Sequence, residues 1–510
     1  MLSRSLIILL LLGAGTCNAV ERARGFEQLS FFGFDEAAYS EEARQGLQNI
    51  FAGHLFHMAL PAGTARLAIR GSMASAESLG YDPDTDEGRF YVRGFLPSPP
   101  NRTAGSDPSF GLGESAFERD DRAMVNFNCF ACHAGVVNGQ VVAGLGNSHI
   151  NQSEPRKSLT RGDNFGPYAV WEMGSRLADP ANQGMVLAEG KTELQVLFES
   201  LTLPPVDPMP WWVMKYKELD YWYADAGIHD AASFSINFTT PHAQMNEHRP
   251  EHIKIVAKAL AFARETQSPP FPETLDAELV QRGADLFHGR VRPQDNRGFR
   301  TCKSCHGTYS KQDGNADYSQ PGSYAVDYDY SHVLRNVKTD TAYNDTLQQL
   351  APIAEHINKL ELYYSDQGTP ELIPHASVPN KSGYVAPPLV GVWASAPYFH
   401  NGSVPTIEAV LNSSIRPEIW SRDHRDPHAY DFDQVGMAHQ SWTRLEFDES
   451  AEGAAGKPFG SAEALDHAAI YDTQAFGHGN SGHTFGDSLT DDERRAVIEF
   501  LKSLSGPDMQ

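Results

Sequence analysis

The sequence predicts a mainly α-helical protein in two domains, with long loops and little β structure. Apolar residues recur at helical spacing in segments that flank two copies of one short motif, CFACH and CKSCH. The 43 glycines and 32 prolines agree with long loops and short helices. A chain of 510 residues with 41% hydrophobic side chains can bury a sizeable core.

Each motif supplies two thiols three positions apart and an imidazole directly after the second thiol. These residues are Cys129, Cys132 and His133 in the first copy, and Cys302, Cys305 and His306 in the second. Two thiols at this spacing can add across the two vinyl groups of one porphyrin, which places the imidazole beneath the iron. About 0.002 such patterns are expected by chance in a chain with 5 Cys and 20 His. The motifs therefore predict two covalently bound haem c groups, one in each of two cytochrome c-like domains.

Zinc sites and redox dithiols also contain Cys-x-x-Cys pairs, but both fit this sequence less well. Zinc needs four ligands in tetrahedral array and usually a second Cys or His pair close by. A redox dithiol does not account for a histidine directly after both pairs.

The first residues have the pattern of a secretory signal peptide. Arg4 precedes a short apolar run, and small residues follow it as far as Ala19. We therefore assign residues 1–19 to a signal peptide and expect the protein in the periplasm or secreted. Cleavage after Ala19 removes Cys17, and the four remaining cysteines are then all committed to haem. Lipoprotein processing at Cys17 is the alternative, although the residues before it match a lipid-attachment site poorly.

The formal charge of −24, from 41 basic and 65 acidic side chains, limits the classes of partner. Nucleic acid and anionic membrane surfaces are disfavoured. A small redox protein as electron donor and a neutral apolar substrate both remain compatible with this charge. After the signal peptide, no apolar run in the sequence is long enough for a membrane span.

The N-terminal half contains two predicted helices with a loop between them. The segment from Glu41 to Leu55 places Leu47 and Ile50 on one helical face. Residues 94–114 are rich in proline and glycine and predict a long surface loop before the first motif. A second helix is predicted from Glu251 to Arg264.

Prolines follow this second helix and mark a domain boundary. Pro269, Pro270 and Pro272 interrupt the helical pattern. We assign residues 20–268 to an N-terminal haem c domain and residues 269–510 to a C-terminal cytochrome c-like haem domain.

The C-terminal domain has the element order of a small cytochrome c. A helix predicted from Leu275 to Phe287 precedes the second motif. Thr490 and Glu493 form a capping box that predicts the start of the last helix.

The second axial ligand of each iron decides the function. A haem iron with one histidine carries electrons if a strong protein ligand occupies its other side, and can be a catalyst if that side is open. After His306 the chain holds ten further histidines and Met437, so composition alone does not choose the ligand of the second haem. Two segments stand out, APYFHNG at 396–402 and GNSGHTFG at 479–486.

Four segments resemble the dihaem oxygenases related to rubber oxygenase, which belong to the dihaem cytochrome c peroxidase superfamily. They are CFACHAGVVNGQ at 129–140, PMPWWVMKYKELDYWYADAG at 208–227, PPLVGVWASAPYFHNGSVPTIEAVL at 387–411 and GNSGHTFG at 479–486. The resemblance implies that His306 and His483 bind the second iron from opposite sides. It also implies that His133 is the one protein ligand of the first iron, whose open face binds dioxygen.

The resemblance further assigns aromatic residues to the first haem. Tyr221 and Trp222 match an aromatic pair whose tryptophan lies between the haems, and Phe238 or Phe234 matches a phenylalanine that lines the oxygen pocket. The aromatic residues between 211 and 223 are also compatible with core packing alone, and we interpret Trp211 and Trp212 in this way.

His149 is an alternative ligand of the first haem. It lies 16 residues after His133, close to the position of a histidine that blocks the peroxidatic haem in dihaem peroxidases. Its Gly-rich setting favours an exposed position instead. The resemblance also raises a calcium ion between the domains, whose ligands the sequence does not assign.

These observations lead to one leading hypothesis and two alternatives. The leading hypothesis is a dioxygenase that attacks the C=C bond of an apolar substrate, a polyisoprenoid or an unsaturated fatty acid, at the first haem. The second haem then supplies or relays electrons. The alternatives are a dihaem peroxidase that reduces hydrogen peroxide and an electron-transfer cytochrome in which both irons are six-coordinate.

Overall fold

A computed structural model describes a little over half of the chain. The described residues are 29–55, 60–62, 96–102, 105–107, 110–148, 171–172, 204–217, 219–220, 226–227, 249–295, 299–311, 317–318, 324–328, 335–346, 348, 363–364, 370–371, 383–422, 426–449 and 470–506. In these ranges, no helix combines the length and the apolar character needed to cross a bilayer.

The described helices are mostly short, and four longer ones form the two main helix pairs. The helices are α1 Glu41–Phe51, α2 Phe130–His133, α3 Arg249–Glu265, α4 Ala277–His288, α5 Lys303–His306, α6 Ile407–Leu411, α7 Arg444–Glu449 and α8 Asp491–Ser503. Short 3-10 helices span Glu36–Ala38, Trp211–Tyr216, Val392–Ala394 and Ser413–Ile415.

The described strands have two to six residues and pair in small sheets. They are β1 Ser30–Phe32, β2 Leu60–Pro61, β3 Glu114–Arg119, β4 Arg122–Phe127, β5 Ala134–Val137, β6 Gln140–Ala143, β7 Trp171–Glu172, β8 Pro205–Val206, β9 Leu219–Asp220, β10 Ala226–Gly227, β11 Thr308–Lys311, β12 Tyr324–Asp327, β13 Tyr363–Tyr364, β14 Pro370–Glu371, β15 Ile419–Arg422, β16 Tyr430–Asp431, β17 Gly436–Met437, β18 His439–Trp442 and β19 Ile470–Asp472. Three of the described sheets have three strands each, in the orders β1-β6-β5, β2-β4-β3 and β18-β15-β19.

Helices α1 and α3 pack together in the N-terminal half. The Ser40 hydroxyl accepts a hydrogen bond from the Ala43 amide at 3.2 Å and so caps α1. The helices approach closely because Gly46 has no side chain, and a Cβ there would overlap the Lys258 carbonyl. Leu47 and Ile50 are buried, as their helical spacing predicted.

Two antiparallel hairpins, β3-β4 and β5-β6, lie directly before and after the first motif. The turn of the second hairpin is Asn138-Gly139, and both residues have positive φ angles, 45° and 71°. Such a pair is typical of the tight turn that matches the twist of two paired strands. Hairpin β5-β6 therefore fixes the chain that follows His133.

Helices α4 and α8 form the corresponding pair in the C-terminal half. Asp276 caps α4 through two backbone amides, and Gly289 ends it with a φ of 70°. The predicted capping box of Thr490 and Glu493 is present at the start of α8. A Cβ at Gly283 would overlap the Ala496 carbonyl, so this crossing is also close.

One apolar cluster joins residues from both halves. Val142 and Trp212 pack in the same cluster as Val280, Trp393 and Phe500. The Trp212 indole N–H also donates to the Val390 carbonyl at 2.8 Å. The mainly α class and the division into two haem domains at 268/269 stay predictions, because much of both halves lies outside the described residues.

Candidate haem sites

Both Cys-x-x-Cys-His motifs fold into the same single helical turn. The His133 amide donates to the Cys129 carbonyl at 3.0 Å, and the His306 amide donates to the Cys302 carbonyl at 3.0 Å. Residues three and four positions apart share one face of a helical turn. Each motif therefore presents its thiols and its imidazole on the same side, as attachment to one porphyrin requires.

One thiol of each motif has a raised pKa. Burial raises the pKa of the Cys129 thiol and of the Cys302 thiol to about 12. Redox-active Cys-x-x-Cys pairs instead have a lowered thiol pKa. The electrostatics thus disfavour a redox dithiol at either pair.

The structure places the His483 ring close to the His306 ring. The centres of the two imidazole rings are 6.2 Å apart, and the ring planes make an angle of 66°. A metal–imidazole bond is about 2.0 Å long and the ligating nitrogen lies about 1.2 Å from the ring centre, so two imidazoles on one metal ion are about 6.4 Å apart. The spacing of His306 and His483 therefore fits two axial ligands of one haem iron.

A hydrogen bond orients the His306 ring. Its Nδ1–H donates to the Pro387 carbonyl at 2.8 Å, which leaves Nε2 as the nitrogen for the iron. Burial lowers the pKa of His306, and it lowers the pKa of His483 to about 4. Both rings are then neutral at pH 7, which is the form that binds a metal.

The loop that carries His483 is held in a specific backbone conformation. His483 has a φ of 46°, in the left-handed region that few non-glycine residues adopt. Its amide donates to the Val337 carbonyl at 2.9 Å. Gly482 lies against Lys338 so closely that a Cβ would overlap the Lys338 backbone. Strain of this kind persists where surrounding contacts enforce it, and it is frequent at functional sites.

His133 in the first motif has an indole as a neighbour. The Trp211 ring stacks on the His133 ring with centres 4.9 Å apart and planes inclined by 26°. The Gly144 amide donates to the His133 carbonyl at 2.8 Å, and the Trp211 amide donates to the Gly144 carbonyl at 2.8 Å. Burial lowers the pKa of His133 to about 4, so this imidazole is also neutral at pH 7.

Three other candidate ligands of the second haem that the structure describes have different surroundings. The His400 ring stacks on Tyr384 with centres 3.8 Å apart, and Met437 lies with its sulfur 4.0 Å from Arg422. His478 packs on Tyr471. Among the candidates that lie in the described part of the chain, His483 is the one whose ring is in contact with the His306 ring.

Several predicted site residues lie outside the described residues. They are His149, Tyr221, Trp222, Phe234 and Phe238. Their roles as alternative ligand, inter-haem aromatic pair and lining of the oxygen pocket stay predictions, as does the open face of the first haem.

Two described residues near the predicted ligands have roles that the sequence did not indicate. Trp211 was interpreted as a core residue, and its contact with His133 also makes it a support for that ring. Arg416 had no sequence signal at all, and it binds the His483 loop through the carbonyl of His483 and those of two loop neighbours.

Comparison with known proteins supports haem c in the C-terminal half. Residues 383–421 match the family model described as RoxA-like, cytochrome c-like. The matched segment includes Pro387, which accepts the hydrogen bond from His306, and His400. The match supports a cytochrome c-like haem family, with haem c as the cofactor, and is consistent with a haem-dependent oxidoreductase.

Two curated relatives from Sinorhizobium fredii (strain NBRC 101917 / NGR234) align with part of the chain. Uncharacterized protein y4iJ is 32% identical over 131 residues, which are 24% of this chain and 18% of the relative. Uncharacterized protein y4iM is 34% identical over 113 residues, which are 22% of this chain and 22% of the relative. The aligned part thus covers about a fifth of the length of each relative.

Proposed function

We propose that this chain is a periplasmic or secreted dihaem c-type dioxygenase that acts on the C=C bond of an apolar substrate at the first haem. One observation carries the proposal, the pair of imidazoles of His306 and His483 with ring centres 6.2 Å apart. His306 and His483 would hold the haem iron through both imidazoles, and a haem held in this way would supply electron exchange and would leave no position for a substrate. The reaction is therefore assigned to the haem on His133.

The proposed reaction balances without a net electron donor. Haem c with one open axial position supplies the binding and activation of dioxygen. One oxygen atom then goes to each carbon of the substrate double bond, the C=C bond breaks, and two carbonyl groups form. A small redox protein is needed only to bring the first iron to its ferrous state, directly or through the second haem.

Four of the protein's own residues have tasks in this proposal. His133 binds the iron from one side, and Trp211 fixes the plane of that imidazole by stacking on it. Trp222 is proposed to relay electrons between the haems, and Phe238 to line the oxygen pocket. A neutral apolar substrate, a polyisoprenoid or the chain of an unsaturated fatty acid, suits a protein with a formal charge of −24.

The second candidate is a dihaem peroxidase that reduces hydrogen peroxide. The observation in its favour is the position of His149, 16 residues after His133. Splitting hydrogen peroxide into two water molecules consumes two electrons and two protons, so this reaction needs a reduced donor in every cycle. It also needs an acid or base above the first iron. The dioxygenase and peroxidase reactions therefore differ in whether turnover requires a reduced electron donor.

The test combines a spectrum with a turnover assay on the purified holoprotein. We expect the ferrous protein to change its visible spectrum when dioxygen is added, and dithionite to reverse the change. We also expect dioxygen to be consumed with a neutral polyisoprenoid and without a donor, at one carbonyl pair per dioxygen. Turnover only with hydrogen peroxide and a reduced donor would contradict the dioxygenase and support the peroxidase.

A further inference from the structure

Arg416 makes an unusually complete set of hydrogen bonds to backbone carbonyls. The guanidinium donates to five of them, Ala409 at 2.9 Å, Val410 at 3.0 Å, Asn480 at 2.8 Å, Gly482 at 2.7 Å and His483 at 3.2 Å. Two of these carbonyls belong to α6, and three belong to the loop that presents His483. The planar fork of an arginine suits this task because it offers five donors in fixed directions. Arg416 therefore ties the ligand loop to a helix.

The same guanidinium also reaches the His483 ring through an aromatic side chain. It lies 5.0 Å from the centre of the Phe399 ring. The Phe399 ring in turn meets the His483 ring with centres 5.9 Å apart and planes at 60°. Phe399 has a φ of 70° and His483 a φ of 46°, so both residues hold left-handed backbone conformations. Arg416 contacts both of these strained segments.

The positive charge of Arg416 lies close to the proposed iron ligand His483. The side chain is half-buried, and arginine keeps its proton in proteins. The carboxylate of Asp487 attracts it, but this carboxylate also accepts hydrogen bonds from the amide and the hydroxyl of Ser413, at 2.8 Å and 2.6 Å. A positive charge next to an iron ligand opposes the more positive ferric state and so favours the ferrous state.

We propose that Arg416 is the positioning residue for His483, and that its charge raises the reduction potential of the second haem. The inference rests on the proposed function, because it takes His483 as an axial ligand. Arg416 acts through the loop and through Phe399 and does not touch the iron. It keeps the second iron closed to added ligands and poised to hold an electron.

The test compares Arg416→Lys and Arg416→Gln in the full-length holoprotein. Carbon monoxide binds ferrous haem only where an axial position is vacant, so its stoichiometry reports how firmly His483 stays bound. A potentiometric titration reports the second haem separately. Lysine keeps the charge but has no planar fork, whereas glutamine loses both, so the two variants separate position from charge.

We expect both variants to bind more carbon monoxide than the parent, between about one and two equivalents per chain, because His483 dissociates more readily. Arg416→Gln should also lower the equilibrium constant for reduction of the second haem about tenfold, which lowers its reduction potential by about 59 mV for a one-electron couple. Arg416→Lys should keep most of the parent potential. Arg290→Gln is the matched control, because Arg290 also covers an aromatic ring, that of Tyr318 at 4.8 Å, and it should leave both readouts unchanged.

Two results would overturn the inference. A parent-like potential and carbon monoxide stoichiometry in Arg416→Gln would show that Arg416 neither positions the ligand nor tunes the haem. An equal change in Arg290→Gln would show a general loss of structure. His483→Ala distinguishes this failure from failure of the proposed function, because an unchanged second haem in that variant would mean that His483 is not a ligand at all.

Discussion

The two Cys-x-x-Cys-His turns have the same backbone and different neighbours. The imidazole of His306 faces a second imidazole, that of His483, and the imidazole of His133 stacks on the Trp211 indole. In the proposed function, the pentapeptide provides the attachment of the haem and one axial ligand. The rest of the chain decides what lies around that ligand, and through it what the iron can do.

Removing the difference between the two sites should change ligand binding more than any other substitution. His483→Ala takes away the imidazole opposite His306, so the second iron gains a vacant position. We expect the number of carbon monoxide molecules bound per reduced chain to rise from about one to about two, with a gain of high-spin signal. His478→Ala is a matched control from the same loop region, because the His478 ring packs on Tyr471. This variant should bind as much carbon monoxide as the parent.

A second comparison concerns the two helix pairs and tests the predicted domains. Gly46→Ala and Gly283→Ala each introduce a Cβ that overlaps a backbone carbonyl across a helix crossing, in α1-α3 and in α4-α8. Each change should lower the free energy of unfolding by about 1–3 kcal/mol, the usual cost of overpacking.

If residues 20–268 and 269–510 are separate domains, each glycine variant should shift a different unfolding transition in calorimetry. One common transition, shifted equally by both variants, would contradict the two-domain prediction. Ser310→Ala, at an exposed position, serves as the control.

Mild acid should destabilise the surroundings of the second motif through His288. This buried ring donates from Nδ1 to the Ala284 carbonyl and accepts at Nε2 from the Tyr309 amide, and the Tyr309 hydroxyl donates to the His306 carbonyl. Burial lowers the pKa of His288 to about 4, below the 6.5 of an exposed histidine. Between these values the unfolded chain binds a proton that the folded chain does not, so stability is lost as the pH falls from 6.5 towards 4.

The variant His288→Gln should reduce this dependence on pH. We expect its free energy of unfolding to fall less between pH 7 and pH 5 than that of the parent, by up to about 2 kcal/mol. Denaturant titrations at the two pH values measure the difference. If the free energy of unfolding falls equally with pH in parent and variant, His288 does not contribute to the acid sensitivity.

The smallest predicted effect concerns the support of the first imidazole. An aromatic stacking contact contributes about 1 kcal/mol beyond burial, so Trp211→Leu should weaken dioxygen binding at the first haem about fivefold. Trp211→Phe should keep most of the affinity, and the potential of the second haem should not change. Trp420→Phe, at a buried tryptophan that stacks on Tyr471, is the control. A parent-like affinity in Trp211→Leu would show that the stack does not hold His133.

Local signals in the sequence predicted the parts of the fold that depend on neighbouring residues. Helix α1 begins at Glu41, as predicted, but ends at Phe51, before the predicted Leu55. Helix α4 lies within two residues of its predicted ends, and the capping box of Thr490 starts α8. The hairpin at Asn138-Gly139 was missed, although this dipeptide between apolar residues is a strong turn signal.

The surroundings of the second motif were harder to predict from local sequence signals. Spacing did not choose His483 among ten histidines and Met437, and the resemblance to known oxygenases supplied that choice. The contacts of Arg416 go mostly to backbone carbonyls, which carry no side-chain signature, so no sequence pattern reveals them.

A carbon monoxide titration of the dithionite-reduced holoprotein counts the irons that have a vacant axial position. We expect half of the haem to bind carbon monoxide and the remaining half to keep the spectrum of an iron held by two histidines. Binding by both haems, or by neither, would contradict the assignment of one closed and one open centre.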